Sequence, residues 1–291
     1  MAFPALPAGL SEEDVDPLIS RALAEDLGDA GDITVGAVIP AGVRFLGVMA
    51  AREEIVVAGL PLAARIFARL SPDISFLPEA QDGEKTAAGA VLARIEGPAG
   101  ALLSAERTAL NLLQHLSGIA TETRRYVEAI LETDCVLLDT RKTIPGLRKL
   151  EKYATRMGGA SNHRMGLYDA ILIKDNHLAV TGSVHEAVRR ARAAGHAQIE
   201  VECDTLAQAR EALEAGADRL LLDNMGAGDL RKAVKLAAGR AKTEASGGIT
   251  LETIAAIAAT GVDFVSVGRI TQSAPAVDIG LDWSAEQGAG G

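Results

Sequence analysis

The sequence predicts an α/β protein in which an incomplete (β/α) barrel is joined to a smaller N-terminal α+β sandwich domain. Three observations carry this. Hydrophobic residues make up 48% of the 291-residue chain and aromatics only 3%. The core must therefore be built from Ala, Val, Leu and Ile, which suits helices covering a parallel sheet. Short apolar runs end near Thr140, Lys174, Glu202, Asp223, Ser246 and Gly268, and the helical segments after Lys174 finish at Gly195, Gly216, Gly239 and Gly261. Strand, helix and glycine recurring in that order mark consecutive βα units. Six such strands point to an open barrel rather than a full set of eight. A doubly wound open sheet is the alternative, but no G-x-G-x-x-G follows a strand here.

Taken in order, Ser11 caps a helix through SEEDVDPLISRALAEDL, with acids in its first turn; Gly28 and Gly31 then break it before an acidic turn at Asp29 and Asp32. The runs RFLGVMAAREEIVVAGL and AAGAVLARIEG are short, Val/Ala/Gly-rich and bounded by turn signals, and read as strands. From Ser104, SAERTALNLLQHLSGIATETRRYVEAI is helical, with Leu110, Leu113 and Leu116 on one face. This helix is expected to bridge two domains, with Gly118 as a point of interruption. The division expected is a sandwich domain over residues 1–112, a barrel over 113–273, and a tail over 274–291 that returns to the sandwich. Further on, Ser183 with Glu186 and Thr205 with Gln208 have capping-box spacing at two helix starts.

The formal net charge of -10 speaks against a surface broadly adhesive to nucleic acid or anionic membrane, which needs basic stripes. No apolar run approaches the roughly 18 residues of a membrane span, and MAFPALPAGLSEED lacks the basic and apolar regions of a signal peptide. Cys135 and Cys203 each sit in an apolar strand-like run and read as buried, reduced thiols. The expectation is a cytoplasmic protein with no nucleic-acid or membrane partner.

Against that acidic background, residues 141–164 hold seven Lys and Arg and one acid. Arg148, Lys149, Lys152 and Arg156 fall at helical spacing, a pattern that a solvated helix face also gives, and that reading is preferred for Lys149. Arg141 and Lys142 instead follow a strand end, and His163 and Arg164 lie in the loop before the next strand. Two guanidiniums so placed suit bidentate capture of carboxylates or phosphates.

Barrel chemistry gathers where strands end at the C-terminal face, and these strand ends are polar. Lys174 closes AILIK, Glu202 closes IEVE and Asp223 closes RLLLD. Glu202 and Asp223, on neighbouring strands, could hold Mg²⁺ while phosphates and water complete its shell, or could form rim salt bridges. Ser246, Gly247 and Gly248 offer unobstructed N–H groups just before a helix beginning near Thr250, a geometry suited to an anion and also to a plain turn.

ALAEDLGDAGDIT (22–34), SAERTALNLLQHLSGIAT (104–121), LLDTRKTIPGLRKLEKYA (137–154), GGASNHRMGLYDAILIKDNH (158–177), IEVE, LLLDN, EASGGI and VSVGR occur in this order over nearly the whole chain. They resemble the quinolinate phosphoribosyltransferase family of NAD synthesis. The resemblance implies a dimer whose sandwich domain covers its partner's barrel, with Arg107 serving the neighbouring subunit's site. It implies that Arg141, Lys142, His163, Arg164 and Lys174 surround quinolinate, and that Lys142, Lys174, Glu202 and Asp223 act in catalysis. Glu202 and Asp223 would face Mg²⁺ and the ribose of phosphoribosyl pyrophosphate, and Ser246, Gly247, Gly248 and Gly268 its 5-phosphate. One departure is VGRITQS where many relatives read VGALTHS, placing Arg269 for Ala and Gln272 for His. Gln272 cannot titrate, and Arg269 either adds a phosphate contact or faces outward. A class I aldolase-like lyase would use Lys174 as a Schiff-base nucleophile, but that reading leaves the guanidiniums and the two acids without a task. A relative acting on another small anion, or a non-catalytic one, would keep the same fold.

Overall fold

Ser11 opens the first helix, α1 (Glu12–Leu27), in the computed structural model, which describes residues 5–285. The Asp14 carboxylate accepts the Ser11 N–H at 3.0 Å and its hydroxyl at 2.9 Å, closing the capping box. There follow α2 (Ile33–Val38), β1 (Arg44–Ala51), β2 (Ile55–Val56), α3 (Leu60–Leu70), β3 (Ser75–Pro78), β4 (Lys85–Thr86), β5 (Val91–Pro98) and α4 (Ala99–Glu128). The barrel segment contributes β6 (Val136–Leu138), α5 (Arg148–Met157), β7 (Ile171–Ile173), α6 (Asp175–Thr181), α7 (Val184–Ala193), β8 (Ile199–Cys203), α8 (Leu206–Glu214), β9 (Arg219–Asp223), α9 (Ala227–Ala237), β10 (Lys242–Ser246), α10 (Leu251–Ala258), β11 (Phe264–Ser266) and α11 (Arg269–Gln272), and β12 (Ile279–Ala285) ends the described chain.

Two compact units emerge. One runs through Glu122 and adds Lys149–Gly159 and the chain from Ala274 on; the other is Thr123–Arg148 with Ala160–Ser273. The division expected at residue 112 falls inside α4, a continuous helix that contributes to both units. Residues 286–291 of the expected tail lie outside the described residues.

The first unit is built on an antiparallel sheet ordered β12-β1-β5-β3. Beside it, α3 buries Leu62, Ile66 and Phe67, and its first N–H groups are satisfied by Asp82, which accepts from Gly59 N at 2.8 Å and Leu60 N at 3.1 Å. The strand-like reading of residues 44–60 matches β1 and β2, and α3 follows in a stretch to which no element was given. Gly118 does not interrupt α4. Its missing side chain admits the Pro275 carbonyl, which a Cβ there would overlap.

The basic face of α5 is solvated at Lys149 and covered elsewhere. Lys152 and Glu151 are fully buried, Glu151 lies 3.0 Å from His115 Nε2, and Arg156 donates to the Ala8 carbonyl at 3.0 Å. Lys149 reaches Asp14 at 2.5 Å with about half its side chain in solvent. Sequence spacing could not show this, because the residues that cover α5 come from distant parts of the chain.

The second unit is a six-stranded parallel sheet ordered β6-β11-β10-β9-β8-β7, with Ser161 bridged to Leu138 beyond β6. Between β6 and β7 no strand pairing completes a circle among the described residues, so the barrel is open. Strand alternation sorts its side chains. Ile199, Val201, Cys203, Leu220, Leu222, Ala245 and Val265 belong to the apolar core shared with the helices. The opposite face carries Glu200, Glu202, Arg219, Leu221, Asp223, Glu244 and Ser246. Register sets Glu200 beside Arg219, Glu244 beside Leu221 and Ser246 beside Asp223. Ser183 and Thr205 accept the N–H groups of Glu186 and Gln208, capping α7 and α8. Both cysteines are buried and free, and burial pushes each thiol up to about 12.

Candidate active site

A cavity of about 630 Å³ lies at the C-terminal ends of the barrel strands, lined entirely by residues of the second unit. Parallel strands deliver their last side chains to one rim, so residues scattered over more than a hundred positions in sequence converge there. Arg141, Lys142, His163, Arg164, Lys174, Glu202, Asp223, Ser246, Gly247, Gly248 and Gly268 all line it. Arg269, itself exposed, and Gln272 line it as well. Arg107 stands exposed on α4 in the first unit.

The basic side of the cavity is prepared for an anion. The Arg141 Nε is buried without a hydrogen-bond partner, a donor that a ligand oxygen would satisfy. Arg164 donates to the Ala170 carbonyl at 3.2 Å, and its pKa is lowered by burial and by the neighbouring Arg141 guanidinium. Two like charges held together in a partly buried place are an arrangement that a dianion relieves. Asp139, fully buried beneath the loop, accepts the Asn162 side-chain amide at 2.6 Å and the His163 N–H at 2.8 Å, tying down the segment that carries Arg164.

The acidic side is split by pairing. Glu202 is ion-paired and hydrogen-bonded to Lys174 across the ends of β8 and β7. Asp223 accepts the side-chain amide of Asn224 at 2.6 Å on Oδ2. Each carboxylate keeps a second oxygen with no hydrogen-bond partner among the described residues, so two hard oxygen donors face the cavity from neighbouring strands. This donor set fits Mg²⁺, which takes one or two carboxylates and leaves its other positions to water and phosphate.

The turn after β10 needs its glycines. Gly247 has φ +91° and Gly248 φ +60°, and a Cβ on Gly247 would run into the Asn224 side-chain oxygen. Asn224 itself holds φ +55°, an uncommon backbone for a residue with a side chain. A Cβ on Gly268 would meet the Lys142 side chain at 2.8 Å. The bare backbone of these turns, ahead of α10 and of α11, borders the cavity.

At the cavity floor, where His163 and Glu244 belong to the lining, lies a charged cluster of which the sequence showed only His163. His163 Nε2 is 3.3 Å from Glu200 Oε2 and 3.5 Å from Glu244 Oε1, and Arg219 Nη1 is 3.2 Å from Glu244 Oε2 and 4.0 Å from Glu200 Oε1. Burial first, then the Glu200 charge, pushes Glu244 up to about 7. These groups could be found by strand period alone: Glu200 stands two residues before Glu202 and must share its face. Three of them, His163, Glu200 and Glu244, are spaced as metal ligands can be. Arg219 already supplies the cation that the pair of carboxylates requires.

Known proteins resemble this chain over most of its length. Residues 32–117 match the family model described as quinolinate phosphoribosyl transferase, N-terminal domain, and residues 119–282 match its C-terminal domain. A Bacillus subtilis protein described as a probable nicotinate-nucleotide pyrophosphorylase [carboxylating] is 45% identical over 267 residues, covering 91% of this chain and 92% of that one. A nicotinate-nucleotide pyrophosphorylase [carboxylating] of Mycobacterium leprae is 45% identical over 270 residues, with 91% and 95% covered. Among solved structures, the nicotinate-nucleotide pyrophosphorylase from Francisella tularensis superposes with a TM-score of 0.91 at 39% identity, covering 94% of this chain and 98% of that one.

Proposed function

The chain belongs to the quinolinate phosphoribosyl transferase family, and on that footing we infer that the strand-end cavity joins quinolinate to the ribose of phosphoribosyl pyrophosphate. The products are nicotinate mononucleotide, pyrophosphate and CO₂, a step of NAD biosynthesis. The observation that carries the assignment of the site is the pair of guanidiniums, Arg141 with its orphaned Nε and Arg164 with its lowered pKa, at one end of a cavity whose other end is acidic and glycine-lined.

Quinolinate brings two carboxylates. Arg141 and Arg164 neutralise them, with Lys142 and Lys174 near by, and so permit a dianion to approach a pyrophosphate that would otherwise repel it. Gly247, Gly248 and Ser246, ahead of α10, receive the ribose 5-phosphate on backbone N–H groups, and Gly268 and Arg269 close the same side. With the ring nitrogen thus held against the anomeric carbon, attack there expels pyrophosphate. Glu202 and Asp223 would hold Mg²⁺ through the oxygens they keep free, and the ion, when bound, supplies charge neutralisation on the leaving group. Lys174, paired to Glu202, orients that carboxylate. After ribosylation the pyridinium nitrogen stabilises the carbanion left when the 2-carboxylate departs as CO₂, and C2 then takes up a proton from solvent, so this chain needs no further cofactor for that step.

Arg107, exposed on α4, reaches the equivalent cavity of a second copy in this reading, making the working unit a homodimer. The two buried reduced thiols and the absence, among the described residues, of any helix long and apolar enough to cross a membrane are in keeping with a cytoplasmic enzyme.

The test is substrate choice. With phosphoribosyl pyrophosphate and Mg²⁺, quinolinate should release pyrophosphate and CO₂, and nicotinate should be worse by about a hundredfold or more in kcat/KM, since a monoacid leaves buried cationic donors unpaired. Equal kcat/KM for the two would defeat the assignment of Arg141 and Arg164.

A further inference from the structure

Arg148, the first residue of α5, holds two loops at once. Its Nε donates to the Thr143 hydroxyl at 3.1 Å and its Nη1 to the Met165 carbonyl at 3.1 Å, while Nη2 reaches the Arg141 carbonyl at 3.5 Å. Thr143 stands two residues after Arg141, and Met165 directly follows Arg164. Arg148 is partly buried and does not itself line the cavity. We propose that Arg148 is a positioning residue for the carboxylate receptor: its guanidinium clamps the loop that carries Arg141 to the loop that carries Arg164, and so fixes the separation of the two cations that meet the substrate's carboxylates.

Two guanidiniums held close together repel, and the repulsion is felt here: Arg164 is lowered by burial and then by the Arg141 charge. Loops free to move would part to relieve it. These are tied on both sides instead. Asp139, two residues before Arg141, accepts the Asn162 side-chain amide at 2.6 Å and the His163 N–H at 2.8 Å. Beyond the two receptor residues, Arg148 joins Thr143 to Met165. Arg141 and Arg164 therefore lie between two ties that bridge the same pair of loops. The second tie needs a guanidinium, whose donors leave a planar fork in fixed directions; a lysine ammonium is a single point and cannot hold acceptors on two loops in that geometry. All three acceptors are uncharged oxygens, so what Arg148 contributes through them is direction more than Coulomb attraction. Misplacement by about 1 Å at a binding site costs on the order of a hundredfold in rate, so the spacing of the receptor matters as much as its charge. Helical spacing grouped Arg148 with the basic face of α5, and only its contacts set it apart.

The inference rests on the reading of the cavity as a quinolinate site, and the experiments separate the two. Arg148→Lys keeps the charge and loses the fork; Arg148→Met loses both. With the full-length enzyme, each should raise KM for quinolinate about tenfold and leave KM for phosphoribosyl pyrophosphate within about twofold. Thr143→Val, which removes one acceptor, should raise quinolinate KM about threefold, and Thr143→Ser, which keeps the hydroxyl, should stay within about twofold of wild type. A folded Arg148→Lys enzyme with the wild-type quinolinate KM, or with both KM values raised alike, overturns the proposal. If neither Arg148 variant folds, an unchanged quinolinate KM in Thr143→Val overturns it as well. If wild type itself releases no pyrophosphate with quinolinate, the functional reading fails instead, and the clamp is then read without substrate. In nitrogen-15 NMR the Arg148 Nε–H, assigned through Arg148→Lys, should exchange with water about tenfold more slowly in wild type than in Thr143→Val. Equal exchange in the two proteins sinks the clamp.

Discussion

Arg219 Nη1 lies 3.2 Å from Glu244 Oε2, inside the barrel at the cavity floor. Glu244 is fully buried, and a lone buried carboxylate would be costly without such a partner. Arg219 stands beside Glu200 in register and reaches diagonally to Glu244 on the next strand, so its one cation lies between two acids.

This geometry sets a pH dependence of stability. In the unfolded chain Glu244 titrates near 4.5; in the folded chain its carboxyl is raised to about 7. The folded state therefore holds its proton where the unfolded state has lost it. The stabilisation is fully present below about 4.5 and is lost as pH rises through about 7, a tenfold difference in proton affinity between the two states being worth about 1.4 kcal/mol. Glu244→Gln does not titrate. Its Tm relative to wild type should rise between about pH 5 and about pH 8; parallel Tm curves for the two proteins across that window would show that Glu244 is ionised throughout.

Lys174 and Glu202 form one unit. Glu202 has only 11% of its side chain exposed, so Lys174→Met leaves a largely buried carboxylate without its cation. The single variant should lose Tm, and kcat/KM should fall about a hundredfold or more. Adding Glu202→Gln should recover the lost Tm but not the activity. If the double variant is no more stable than Lys174→Met, the pair contributes nothing to the fold.

Gly247→Ala should damage phosphate binding. The position has φ +91°, and the Asn224 side chain fills the space a methyl would need. A strained backbone of this kind costs on the order of 1–3 kcal/mol, and the turn must shift to accommodate it. KM for phosphoribosyl pyrophosphate should rise well above any change in KM for quinolinate, measured by steady-state kinetics with each substrate varied in turn.

The dimer reading is tested by mixing. Arg107→Ala and Lys142→Ala enzymes, each nearly inactive alone, should complement after subunit exchange, because a mixed dimer has one site with both defects and one intact. Random pairing gives about a quarter of wild-type activity. Demonstrated heterodimers with no recovered activity would place Arg107 outside its neighbour's site.

The sequence by itself determined the open barrel and most of the cavity, for reasons local to the chain. Strand period, helix caps and the recurring glycines are short-range signals, and in a parallel barrel a residue at the end of a strand has only one rim to reach. Lys174, Glu202, Asp223 and Gly268 were legible from that rule alone, and Arg107 only through family resemblance. Tertiary structure decided what distant segments do to one another. The ion pair of Lys174 with Glu202, the burial of Lys152 on a helix whose spacing also fits a solvated face, the uninterrupted course of α4 past Gly118, and the Arg219–Glu244–His163 cluster all depend on contacts between residues far apart in sequence. Glu200 was visible as a residue sharing the face of Glu202. That it is buried, and that it meets His163, follows only from the folding of the loop before β7 over the barrel interior, since burial and pairing belong to the packed molecule and not to any stretch of it.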